Sequence, residues 1–281
     1  MKNLSKSFTA LMAVAGLLFA SSCDTDQDPI VPEPDLEIVY DDVAVNRAFE
    51  DLDNLTFSLI LEEGSLDSRL AQTFDGPICD EAVITVNEAE GIVVIDFGDG
   101  CTTNGITRKG KVILTSSRSL ELASLIFPGF SVVTTFENYE VNGLKVEGTR
   151  TITTQNVDLA NFTARVAVTV RDGKITWPDN TFVTYRSDQV REIVLTAGAR
   201  EVFISGSASG ESREGFDYTA NISTTVVLTG DCLETGNLTP SSGVIDFQYR
   251  GIAVSLDYGF GTCDKTVTIT YPGGAKEITL D

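Results

Sequence analysis

Apolar and polar residues alternate along most of the chain after residue 82, a pattern that predicts β-strands. Between Phe162 and Arg171, apolar residues occupy every even position, and all odd positions except Ala167 are polar. The run from Phe216 to Val226 repeats the pattern. Sheets with one buried and one wet face are typically antiparallel. We therefore predict an all-β body of about a dozen to fifteen antiparallel strands.

Dipeptides typical of tight turns separate the predicted strands. Asn142-Gly143 favours a primed hairpin turn, and so does Asp172-Gly173, which is predicted to join strand 162–170 to strand 174–177. Because no long linker interrupts residues 82–281, we predict one all-β domain over 41–281. A sandwich and a curved, partly closed meander both remain open. Further turns are predicted at Pro178-Asp179-Asn180, Glu214-Gly215 and Pro272-Gly273-Gly274.

One segment has the periodicity of a helix, predicted over 41–62. Asp41 or Asp42 is the expected N-cap, and Glu63-Gly64 the expected stop. We expect the apolar stripe to pack on a face or an edge of the sheet, with partner binding as the alternative. The apolar positions follow i+3 and i+4 spacing and are Ala48, Phe49, Leu52, Leu55 and Leu59.

A motif of apolar strand, Asp, aromatic residue, Gly and Cys occurs twice. The first copy is Ile95-Asp96-Phe97-Gly98-Asp99-Gly100-Cys101, and the second is Leu256-Asp257-Tyr258-Gly259-Phe260-Gly261-Thr262-Cys263. Each copy reaches a second Gly before the Cys, and each Cys has an upstream candidate partner. We therefore predict two Gly-cornered hairpins, each closed by a disulfide.

The N-terminus predicts export and lipid anchoring. Residues 1–22 combine two early lysines with an apolar run that is too short to span a bilayer, as in a signal peptide. Ala20-Ser21-Ser22 before Cys23 resembles a bacterial lipobox, although the usual Leu is Ala20. The resemblance implies lipidation of Cys23 in the outer membrane. An ordinary signal peptide cut near Cys23 is the alternative.

An acidic tether, predicted disordered, follows over 23–40. Eleven acids and one base lie between Asp24 and Asp53, a net charge of −10, so about half of the chain's charge of −21 lies in this leader. The acidic stretch resembles that of lipoproteins sent to the bacterial cell surface. A plain solvated spacer is the equal alternative, and periplasmic and outward orientations both stay open.

Composition excludes several classes of function. The strong negative charge repels nucleic acid and anionic membrane surfaces. Nucleic acid is therefore not an expected partner, and contact with a membrane is expected through the N-terminal lipid. The chain contains no histidine, which removes Ser-His and Cys-His nucleophiles. The segment from Gly206 to Gly210 fails the acyl-transfer pattern because its centre is Ala208, and it is predicted to be a close-packed strand or bulge. We predict no catalytic residue and no cofactor.

Four cysteines remain beyond Cys23, an even number that indicates disulfides in an exported protein. We favour Cys79–Cys101 and Cys232–Cys263 because each pair brackets one copy of the motif. Pairing Cys79 with Cys263 and Cys101 with Cys232 stays open. Zinc is not expected, since the chain has neither a CxxC pair nor histidine.

Two sets of residues are weak ligand candidates. Asp96, Asp99 and Asp257 could offer oxygens to calcium, but their spacing matches no known calcium loop, and Asp in such turns commonly accepts backbone hydrogen bonds. Asn104 just after the first copy of the motif and Asp264 just after the second could supply further oxygens to calcium. Trp177, the single tryptophan, is predicted at a hairpin tip and could stack on a sugar or cover the core.

Several motifs together resemble a group of uncharacterised Bacteroidota lipoproteins with paired Asp-aromatic-Gly…Cys motifs. The group has no assigned activity, so the resemblance implies localisation and an all-β body and transfers no catalytic residue. The motifs, beyond the lipobox, are 96–101, 108–112, 136–143, 146–150, 206–210, 256–259 and Cys263-Asp264.

The function we predict is that of an outer-membrane or cell-surface lipoprotein acting as a non-enzymatic binding or structural module, with a glycan or an envelope protein as partner. A carboxylate-based carbohydrate-active hydrolase and a periplasmic assembly factor are the alternatives. A hydrolase would require two carboxylates at a defined separation in a cleft.

Overall fold

The strands form one antiparallel meander in which neighbours in sequence are neighbours in the sheet. The computed structural model describes residues 34–63, 78–118, 122–196, 199–230, 232 and 239–280. Within them lies a 14-stranded open sheet with β1 and β14 at its edges, while β3 pairs with β4 beside the main path. The prediction of an all-β antiparallel fold is confirmed. The strands form one meander, not the two sheets of a sandwich, and the sheet is open and not partly closed.

Helix α1 and a short second helix accompany the strands. The helices are α1 Glu37–Glu63 and α2 Leu122–Leu125. The strands are β1 Val83–Asn87, β2 Ile92–Asp96, β3 Cys101–Thr103, β4 Ile106–Ser116, β5 Ser131–Val141, β6 Leu144–Asp158, β7 Thr163–Thr176, β8 Phe182–Thr196, β9 Ala199–Glu211, β10 Asp217–Thr229, β11 Ser242–Tyr249, β12 Ile252–Phe260, β13 Thr266–Tyr271 and β14 Gly274–Thr279.

Most of the alternating positions on β7 and β10 face the core as predicted; the exceptions lie at the strand ends and at Thr224, which is exposed beside a register shift. On β7, Val166, Val168 and Val170 are buried. Phe162 and Phe216, which the pattern placed on the buried faces, instead lie in turns and are exposed. Periodicity fails there because the chain has already left the strand conformation.

The dipeptide Asp172-Gly173 is a bulge and not the predicted turn. Strand β7 continues through it to Thr176, with a register shift between Val170 and Gly173. Asp172 has a φ of 52°. A Cβ on Gly173 would lie 2.5 Å from the carbonyl oxygen of Tyr185, so the neighbouring backbone approaches too closely for any side chain. Such bulges bend and coil a sheet.

Helix α1 begins earlier than predicted, and its cap is different. The backbone N–H of Glu37 donates to Asp35 Oδ1 at 3.0 Å, so Asp35 caps the helix. Asp41 and Asp42, the predicted caps, lie inside the helix and are buried. Residues 37–40, predicted as tether, are therefore helical.

The helix is buried on its charged side as well as on its apolar stripe. Asp51 is 2% exposed, and Arg108 of β4 donates to both of its carboxylate oxygens, through Nε at 2.7 Å and through Nη2. The hydroxyl of Tyr139 on β5 donates to the same carboxylate at 3.2 Å. Asp51 is thus a paired interior charge, the condition under which burying a carboxylate is tolerated.

A second network of buried ion pairs involves the neighbouring helix residues Glu50 and Asp53. Asp53 accepts from Arg150 of β6 at 2.5 Å and from Arg191 of β8 at 2.6 Å, and Arg191 also pairs with Glu50 at 2.6 Å. Because arginines from β4, β6 and β8 all reach one helix, the sheet must curve around it. Glu50, Asp51 and Asp53 are therefore ion-pair partners of the sheet, not part of a solvated leader.

The two predicted disulfides are confirmed. Cys79 is bonded to Cys101, and Cys232 to Cys263. The first ties the chain just before β1 to the start of β3, and the second ties the chain after β10 to the chain after β12. Each bridge closes its copy of the paired motif.

Candidate binding pocket

The start of α1 meets two turns of the sheet, and Arg213 holds the three together. Arg213 follows β9, in the turn predicted at Glu214-Gly215. Its Nε donates to Thr181 Oγ1 at 2.7 Å, and its Nη2 lies 2.8 Å from Asp179 Oδ2. Both partners belong to the turn between β7 and β8. The guanidinium is thereby fixed before any ligand arrives.

The same guanidinium reaches the helix and an aromatic ring. Nη1 of Arg213 lies 3.3 Å from Glu37 and 3.6 Å from Asp41, and its Cζ lies 4.8 Å from the centre of the Trp177 ring. A cation at this distance over an indole is attracted by the ring face. Arg213 therefore occupies one face of Trp177 and joins it to the helix start.

An open pocket of about 570 Å³ lies at this junction. Tyr40 presents an exposed ring to it, and the wall carries charges of both signs. A concave site with aromatic surface and a few fixed polar groups is typical of small-ligand binding. The lining residues are Pro34, Asp35, Leu36, Glu37, Tyr40, Asp41, Ala44, Trp177, Arg213 and Lys276.

Asp41 is an acid of the pocket whose pKa is raised. Burial raises the pKa of Asp41 from 3.8 to about 6, against the opposing charge of Arg213, and Glu37 adds to the rise. A carboxyl group with a pKa near 6 carries a proton in mildly acidic solution. The charge of the pocket wall therefore changes between pH 5 and 7.

Trp177 lies at the predicted hairpin tip, between β7 and β8, where it lines the pocket and packs against the core. The contact with the core agrees with the core-covering alternative. Its role as a ligand residue stays a prediction.

The paired motif lies away from this pocket, and its Asp residues serve the backbone. Asp96 Oδ1 accepts from Gly98 N–H at 2.9 Å, and Asp257 Oδ1 accepts from Gly259 N–H at 2.8 Å. The first hydrogen bond holds the pKa of Asp96 below its usual value. The expected Asx arrangement is therefore present in both copies. Asp99 is exposed in the same turn as Asp96.

The two copies of the motif differ in backbone. The first copy leaves β2 after Asp96 and turns, as predicted. In the second copy β12 continues through Gly259 to Phe260, with a register shift against β11. The predicted corner at Asp257 is therefore a bulge within a strand.

One group of three possible metal ligands within 4.8 Å occurs among the described residues: Cys79, Glu81 and Cys101. Its two sulfur atoms are bonded to each other, so only the carboxylate remains as a donor. Asp264, named with the calcium candidates, accepts from Thr262 and from the Thr266 backbone. Neither arrangement gives a metal centre.

Sequence reasoning missed most of the pocket. Tyr40 and Asp41 were assigned to the tether and to the cap, and Arg213 and Lys276 were not singled out. Arg213 stands directly before a predicted turn. That position indicates the end of a strand, but it does not identify the residues that Arg213 contacts. Lipidation of Cys23 concerns a residue outside the described ranges, so it stays a prediction.

Comparison with protein-family models, curated proteins and solved structures found no match to this chain. Among the helices of the described residues, none has the length and apolar character needed to cross a membrane.

Proposed function

We propose that the protein is a lipoprotein, anchored through Cys23 in the bacterial outer membrane, that acts as a non-enzymatic binding module. The observation that carries the binding role is the pocket at the start of α1. Its aromatic rings and ion-paired arginine are positioned by three separate chain segments. Preorganised polar groups beside aromatic surface favour binding because little order is lost when a ligand enters.

A short glycan is the ligand class that this wall supports best. Ring faces such as that of Tyr40 pack against the C–H surface of sugars, and fixed charged groups accept and donate hydrogen bonds to hydroxyls. Asp35 and Glu37 lie in the pocket beside Arg213 and supply acceptors. The pocket is open and mixed in charge, which suits a neutral polar ligand.

The pocket contains the single tryptophan of the chain, so intrinsic fluorescence reports on it directly. Titration with neutral chito-, cello- and manno-oligosaccharides is expected to shift or quench Trp177 emission with one of these series. The variant Tyr40→Ala should weaken that titration about tenfold, the equivalent of one stacking contact. No change with any series would contradict the glycan assignment.

A matched control uses Phe260, which is fully exposed and lies outside the pocket. Phe260→Ala removes an exposed aromatic ring from a part of the surface outside the pocket and should leave the titration unchanged. Equal loss in both variants would mean that the sugars bind without using this pocket.

Anchoring is tested separately. Cys23→Ser is expected to move the protein from the membrane fraction to the soluble fraction, because acyl chains supply the attachment. A Cys23→Ser form that stays in the membrane fraction would contradict the anchor.

A carboxylate-based hydrolase is the second candidate, favoured by one observation. The pocket holds three carboxylates, and the pKa of Asp41 is raised to about 6, as a general acid requires. If the protein only binds sugars, a sugar that alters Trp177 emission should release no new reducing ends during incubation. Release of reducing ends that is abolished by Asp41→Asn would establish the hydrolase instead.

A further inference from the structure

Strand β1 is an edge strand that lacks the usual protection against pairing. It hydrogen-bonds to β2 on one side, and no described residue pairs with its other side. All five of its residues are exposed, including Val83 at 62% and Val86 at 43%. An exposed apolar edge is a template for a further strand.

The opposite edge of the sheet is different. Strand β14 carries Lys276 and Glu277, and Pro272 precedes it in the turn. Charges and proline at an edge are the common means of preventing strand addition. Strand β1 contains no charged residue and no proline. One edge is therefore protected, and the other is open as far as the described residues show.

Both ends of β1 are fixed in place. The disulfide Cys79–Cys101 ties the chain just before the strand to β3. At the other end, the side-chain amide of Asn87 donates to Glu90 at 2.9 Å in the turn to β2. A preformed edge binds an extended segment at a smaller entropic cost than a mobile one.

Acidic residues stand at both ends of the strand and determine which partner fits. Asp80 and Glu81 precede it, Glu88 and Glu90 follow it, and all four are exposed. No lysine or arginine occurs from Asp80 to Thr107. A second copy of the chain would bring these acids against their equivalents in either strand direction, which is unfavourable.

We infer that β1 is a docking edge for an extended segment of another protein, with apolar residues at alternate positions and lysine or arginine at its ends. The segment adds a strand to the sheet through main-chain hydrogen bonds. Its apolar residues meet Ile84 and Val86, which lie on the same face as the buried Ile95 and Val93 of β2. Its basic ends meet the acidic flanks.

The test uses the full-length protein in detergent and a short fluorescent peptide in which valine alternates with threonine between lysine pairs. Binding by anisotropy is expected, and replacing the lysines with glutamates should weaken it by at least about tenfold at low salt. The double variant Glu81→Lys, Glu88→Lys should reverse that preference. Both residues are exposed, so the variant is expected to fold.

Two controls locate the binding. N-methylation of the peptide amides that face β1 should abolish binding, while methylation of the alternate amides should not. Hydrogen exchange should slow in 83–87 on binding and stay unchanged in 274–279. The inference would be overturned if the lysine and glutamate peptides bound equally well, or if neither pattern of N-methylation weakened binding. It would also be overturned if the protein formed a dimer in which 83–87 became protected from exchange. Failure here leaves the sugar titration of Trp177 unaffected.

Discussion

Replacing Asp42 with asparagine is expected to stabilise the protein in neutral and alkaline solution. Asp42 is 2% exposed; its Oδ2 accepts from the Asn46 amide at 2.7 Å, while its Oδ1 has no hydrogen-bond partner among the described residues. Burial, the largest cause, raises the pKa of Asp42 from 3.8 to about 7, and the charge of Asp41 adds to the rise. An asparagine has the same shape and no charge.

The magnitude follows from the difference in pKa between the folded and unfolded states. Between pH 4 and 7 the folded protein holds one more proton at Asp42, so the free energy of unfolding falls as pH rises. A pKa difference of about three units corresponds to about 4 kcal/mol, fully lost above pH 7. Asp42→Asn should therefore match the wild type near pH 4 and exceed it by up to about 4 kcal/mol at pH 8.

Urea unfolding at several pH values measures this difference in free energy. Thermal unfolding at pH 8 should show a rise in Tm of about 10 °C. The matched control is Asp53→Asn on the same helix, where the lost carboxylate pairs with Arg150 and Arg191. That variant should lose about 3–5 kcal/mol at pH 8. If the advantage of Asp42→Asn does not grow between pH 4 and 8, the carboxylate is ionised and paired, and the reasoning is wrong.

Three further predictions concern the sheet and its contact with the helix. Arg108→Met should cost about 3–5 kcal/mol in urea unfolding, and adding Asp51→Leu should recover part of it, because the unpaired carboxylate is then gone while the Tyr139 hydroxyl has lost its acceptor. Gly210→Ala should cost more than 2 kcal/mol by the same assay, since its Cβ would lie 1.8 Å from the Thr184 carbonyl oxygen. Reducing both disulfides should lower the unfolding free energy by about 2–4 kcal/mol for each, and equal stability of the reduced protein would contradict this.

The features that could be predicted from the sequence are those that depend on residues close together in the chain. Asn142-Gly143 forms the tight turn expected of it, with φ of 49° and 80°, because turn chemistry is local. The two disulfides were predicted correctly since each closes a short span of chain, 22 and 31 residues. The alternation along β7 predicted its buried face.

Contacts between distant residues were not predictable in the same way. Asp51 and Arg108 are 57 residues apart, and Asp53 and Arg191 are 138 apart, so nothing in either segment identifies the other. Without those partners, an acid-rich helix predicts a solvated surface. Asp172-Gly173 has the composition of a turn, and only the closeness of β8 makes it a bulge.

The long separations within the buried ion pairs have a consequence for how fast the chain folds. Helix α1 comes first among the described elements, but its arginine partners follow 57, 97 and 138 residues later. Folding slows as native contacts join more distant parts of the chain, since loop closure must precede the gain. The helix therefore gains its complete set of ion pairs only after β8 has formed. Refolding of the oxidised protein should be slow, on the order of seconds, with helix protection appearing together with that of β8.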